Sequence, residues 1–110
     1  MDPKLKEMES KIMEIIRLSE ERLERGDLSE RNKFVIGAIR GEFNEIHKYL
    51  IEHGKLLLCA VSLPIATRWT IIDSADFDNQ ADNYLFDKVR NFNEECKIIE
   101  GKYKIYKDPR

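Results

Sequence analysis

The sequence predicts an all-α chain: a small four-helix-type bundle that opens with a long N-terminal antiparallel helical hairpin. Three observations predict it. Apolar residues recur at alternating spacings of three and four in three long stretches, 2–25, 28–53 and 82–99, which is the period of helices that bury one face. Only a few residues separate the first stretch from the second, so those two fold back on each other. A fourth stretch, 55–72, is apolar nearly all round and can cover the three seams. The alternative is an α+β chain in which 56–72 and 102–107 form a small antiparallel sheet. At 110 residues the chain is one domain, 1–110, long enough for a core but not for two.

The first helix is read over 2–25. Pro3 suits its first turn. Leu5, Met8, Ile12, Ile15, Ser19 and Leu23 form the seam, with Ile16 beside it. Glu7 with Lys11 and Glu21 with Arg25 are favourable pairs four apart, each contributing roughly 0.2–0.5 kcal/mol. Gly26 ends the helix.

The second helix, 28–53, organises the rest. Its seam is Ile36, Ile39, Phe43, Ile46 and Leu50, widened by Val35 and Phe34. Asp27 with Glu30 three residues on has capping-box spacing, and Ser29 is a second candidate cap. Gly54 ends the helix in the left-handed conformation. Gly37 and Gly41 lie inside it, each costing about 1 kcal/mol relative to Ala. With Ala38 they form a smooth strip that suits close helix packing within the fold, or contact with a partner or second copy.

Residues 55–72, KLLLCAVSLPIATRWTII, are read as helix over 55–62, a break, then a short helix with Ser62 as cap and Pro64 in its first turn. The strand reading pairs 56–63 with 67–72, because Thr67, Trp69, Thr70, Ile71 and Ile72 favour strands. Residues 73–82 form an acidic loop. The last helix, 82–99, carries Leu85, Val89, Phe92, Cys96 and Ile99 on its seam and Phe86 beside it. Asp78 or Asn79 caps it and Gly101 closes it. The tail, 102–110, alternates and is either an edge strand guarded by lysines or a flexible end.

Composition bounds the function. A net charge of −2 argues against bulk nucleic-acid binding. The interleaved Lys102, Tyr103, Lys104, Tyr106 and Lys107 suit single-stranded nucleic acid, but they suit an edge strand better. The opening MDPKLKEME is charged and no apolar run follows, so no signal peptide is expected. The apolar run 56–72 contains Pro64 and Arg68 and is short for a membrane span, so no membrane partner is expected. Cys59 and Cys96 are expected as reduced, buried thiols. A cytoplasmic location follows from these readings.

No metal and no cofactor is expected. His47, His53, Cys59 and Cys96 show no ligand spacing, and there is neither a phosphate-binding glycine loop nor a nucleophile motif. Asp76, Asp78, Gln80, Asp82 and Asp87 approach the spacing of a calcium loop. Ala81, however, stands where that loop needs Gly, and Asp87 where it needs Glu. The acidic stretch suits a partner-facing patch better, with Asp73, Asp76 and Asp78 as its candidates.

The expected function is therefore a non-enzymatic interaction protein: a small regulator, inhibitor or adaptor that binds a protein partner through helical surfaces and self-associates. Its candidate contacts are Gly37, Gly41, Asp73, Asp76 and Asp78. One motif points elsewhere. Arg40, His47 and Tyr49, within RGEFNEIHKY, lie on one helix with the order Arg, short gap, His-x-Tyr. This resembles the motif of HEPN-type helical ribonucleases, and the resemblance implies an RNA-cleaving toxin in which Arg40 and His47 of two copies meet across a dimer. Here Arg40 is followed by Gly41 rather than a polar residue, and the motif stands early in the chain. Read from the residues alone, the same positions are a solvated helix face with Tyr49 partly buried.

Overall fold

A computed structural model of the protein describes residues 1–58 and 75–107. These form α1 (Pro3–Arg25), α2 (Glu30–His53), β1 (Leu56–Leu58), α3 (Gln80–Ile98), a 3-10 turn (Gly101–Tyr103) and β2 (Lys104–Tyr106). The chain is mostly helical, with a small two-stranded parallel sheet.

Asp2 starts α1 by accepting the Lys4 backbone N–H at 2.8 Å, and Pro3 follows in the first position, where its missing N–H costs nothing. The same carboxylate accepts the Tyr103 hydroxyl at 3.0 Å, tying the start of α1 to the turn before β2. The Lys4 amide, and after it the Tyr103 hydroxyl, hold the Asp2 carboxyl below its usual range. Leu5, Met8, Ile12, Ile15 and Ser19 are buried as the spacing predicts. Ser19 is accommodated because its hydroxyl donates to the Ile15 carbonyl at 2.7 Å. The seam closes on Arg22 rather than Leu23, which is only partly buried. Lys11 reaches Glu7 at 3.5 Å, whereas Glu21 pairs with Arg17 at 2.7 Å.

Gly26, at φ 74°, ends α1. Ser29, not Asp27, caps α2, accepting the Asn32 N–H at 3.1 Å. Asp27 is drawn back toward Arg22 instead. Val35, Ile36, Ile39, Phe43, Ile46 and Leu50 are buried. Phe34 is not: it is 69% exposed, because position 34 falls on the far side of the helix from that seam. Gly54 closes α2 at φ 67°, its N–H donating to the Leu50 carbonyl at 2.8 Å.

The helical reading of 55–62 fails over Leu56–Leu58, which is strand. Leu56 and Leu58 point into the core with Leu57 between them less buried, a period-two pattern. The expected pairing direction also needs correction. Leu56 faces Lys104, Leu57 faces Ile105 and Leu58 faces Tyr106 in parallel, not antiparallel, register. A parallel pair requires a long crossover, and the chain between the strands, which includes α3, supplies it. The rest of the 56–72 reading, with Cys59 and Trp69, lies outside the described residues.

Asn79, not Asp78, caps α3, accepting the Ala81 and Asp82 N–H groups at 2.8 and 3.2 Å. The helix starts at Gln80, so Gln80, Asp82 and Asp87 lie on helix and the calcium-loop spacing encloses no loop. Leu85, Phe86, Val89, Phe92 and Cys96 are buried. Gly101 does not close α3; it begins the 3-10 turn, with Ile99 extended before it. Lys104 closes the helix instead, its Nζ donating to the Cys96 carbonyl at 2.8 Å and to that of Lys97 at 3.4 Å. A cation there also meets the negative end of the helix dipole.

One core joins these elements. Phe43 of α2 meets Phe92 of α3 edge to face, with centroids 5.1 Å apart. Lys11 and Lys88 bridge α1 and α3 through Glu95 and Glu14. No helix among the described residues is long and apolar enough to cross a membrane.

Candidate functional site

The apolar-in, polar-out pattern is broken inside the fold at one junction and outside it on the face of α2, besides other exposed apolar side chains such as Ile98, 84% exposed, and Ile51, 58% exposed. The junction lies where α1 ends and where α2 and α3 begin. Arg22 is 5% exposed, and Asn32 and Asp82 are each 2% exposed. The Arg22 Nε donates to Asp82 Oδ1 at 2.6 Å, and Asn32 Nδ2 donates to Asp82 Oδ2 at 2.9 Å. Asn32 also brackets the backbone of Asp76, donating to its carbonyl at 2.9 Å and accepting its N–H at 2.7 Å. Arg22 Nη2 stands 3.1 Å from Asp27 Oδ1 without completing a hydrogen bond. Burial works against the Arg22 charge, but the bond to Asp82 and the attraction of Asp82 and Asp27 raise its pKa above the usual value.

This junction has the ingredients of a site but not the freedom of one. Both Asp82 oxygens are already engaged, and a guanidinium does not give up its proton near neutral pH. Beside the junction lies a depression of about 170 Å³ lined by Asp27, Asp76, Asp78 and Asp82 with Ser29, Asn32 and Asn79. Asp76 is partly buried and 3.9 Å from Arg31, and Asp78 is exposed. Asp73, the third acidic candidate, lies outside the described residues. Among the described residues no group of three or more His, Cys, Asp or Glu side chains could hold a metal ion.

Arg40, His47 and Tyr49 share α2. Arg40 is exposed. His47 turns toward α1, its Nε2 3.2 Å from Glu9 Oε2. Tyr49 stacks against His53 with centroids 4.2 Å apart. Arg40 is exposed while His47 faces Glu9, and the ribonuclease reading needs a second copy to bring Arg40 and His47 together.

The outer region is the solvent face of α2. Gly41 is exposed and Gly37 and Ala38 are half-buried. An added Cβ at Gly37 or Gly41 would meet nothing within 4 Å among the described residues. The expected close packing of this strip within the fold is therefore not found there. Phe34 lies one turn from Ala38 and two turns from Gly41, on the same face.

The inner junction is what sequence reasoning missed. Its signal was present in the seams. Arg22 lies three residues past Ser19, Asn32 four before Ile36, and Asp82 three before Leu85. Each continues an apolar seam by one step with a polar residue, and three such steps at one end mark a shared buried contact. Cys96, by contrast, is a core residue: burial pushes its thiol up to about 12, so it is neutral and unreactive. The chain matches no family model, and no curated protein and no solved structure aligns with it significantly.

Proposed function

We propose that this chain is a non-enzymatic interaction protein, a small cytoplasmic regulator, inhibitor or adaptor that works through its helical surfaces and self-associates. The observation that carries this reading is Phe34, 69% exposed on an α2 face that also holds Gly37 and Gly41. Leaving a phenylalanine in water forgoes about 1.5–3 kcal/mol of burial, and each interior glycine costs about 1 kcal/mol more. A partner that covers the ring and approaches the glycine backbone recovers part of both. Asp76 and Asp78, with Asp73, form a second, acidic contact for a basic partner. In this reading α1 and α2 are the antiparallel hairpin of a four-helix-type bundle, and the support is Glu9, early in α1, meeting His47, late in α2.

The test is a pull-down with the tagged chain from host lysate, with and without nuclease, alongside Phe34→Asp. A stoichiometric protein partner that survives nuclease and is lost with Phe34→Asp is the expected result. Recovery of RNA, with RNA cleavage that His47→Ala abolishes, would overturn it in favour of the HEPN-like nuclease.

A further inference from the structure

We draw no further inference here: the strongest candidate, the outer face of α2 around Phe34, Gly37 and Gly41, already belongs to the proposed interaction surface, and nothing among the described residues shows what covers it.

Discussion

Asp82→Ala is the sharpest test of how the three helices are held together. The substitution removes the carboxylate 2.6 Å from Arg22 Nε and leaves a guanidinium that is only 5% exposed. Removing one partner of a buried pair costs about 3–5 kcal/mol, because the other charge stays desolvated. Asn32 Nδ2 loses its bond to Asp82 but keeps the Asp76 carbonyl, so that loss is about 0.5–1.5 kcal/mol at most. Asp27, on the surface 3.1 Å from Nη2, can swing closer and offset part of the penalty. The expected net loss is about 3 kcal/mol, toward the lower end. Against a typical total of roughly 5–15 kcal/mol this is a large share.

Urea denaturation followed by far-UV circular dichroism reads the loss directly as a shift in midpoint at unchanged slope. At about 4–8 °C per kcal/mol, the melting temperature should fall by about 12–24 °C. The control is Arg22→Met combined with Asp82→Ala, which removes both charges together. It should be markedly more stable than the sum of the single losses predicts, because no unpaired charge remains. A loss below about 1 kcal/mol for Asp82→Ala, the value of a surface pair, would refute the reasoning. So would a double variant as unstable as the sum of the singles.

Gly37→Ala and Gly41→Ala should each stabilise the monomer by about 0.5–1 kcal/mol, since φ is negative at both and no described atom obstructs a Cβ; urea midpoints at low concentration read this, and a loss would show that something packs on the strip. Gly54→Ala should destabilise by about 1–2 kcal/mol, because φ 67° is left-handed whatever the space around it. Ser29→Ala should cost about 1 kcal/mol by removing the cap on Asn32, and Asp27→Ala should cost less by the same assay. In a Cys59→Ser background Cys96 should resist iodoacetamide at pH 8 until the chain is unfolded. Its folded pKa is raised, so its contribution to stability is present below the ordinary thiol value of 9.0 and is lost as pH rises toward about 12. The loss is about 1.4 kcal/mol per pH unit in that window; midpoints for wild type and Cys96→Ala should converge there.

The helices were legible because their signal is redundant. Five apolar residues at three-four spacing in α2 outvote any single propensity, and Ile36, Ile39, Phe43, Ile46 and Leu50 are all buried. Capping was half legible. Both Asp27 and Ser29 have the chemistry, but Ser29 accepts the Asn32 N–H while Asp27 stands toward Arg22, back in α1. Direction of strand pairing was not legible, since Leu56–Leu58 and Lys104–Tyr106 are three residues each and no turn joins them. What sets it is the crossover, a tertiary fact. Phe34 was assigned to the seam on hydrophobicity, although its phase, two residues before Ile36, already placed it elsewhere. The end of α3 misled for a similar reason. Gly101 has the residue type of a helix terminator, but Lys104 reaches back to the Cys96 carbonyl and makes a glycine turn unnecessary.

The junction and the outer face of α2 both set polarity against position, and they differ in where their partners are. Arg22, Asn32 and Asp82 violate the apolar interior, yet their hydrogen bonds run to one another and to the Asp76 backbone. One buried donor of the junction, Arg22 Nη2, lies 3.1 Å from Asp27 Oδ1 without a completed hydrogen bond. Arg22, Asn32 and Asp82 end three seams made of interchangeable Ile, Leu and Phe, which alone would pack in more than one register. Phe34, Gly37 and Gly41 violate the polar exterior and have no internal account among the described residues. Local rules that fail inside a protein and are satisfied there belong to its folding. Those that fail on its surface and are satisfied by nothing in the same chain belong to whatever the surface meets. The first exception assigns the junction to stability, and the second is the surface on which the proposed interaction rests.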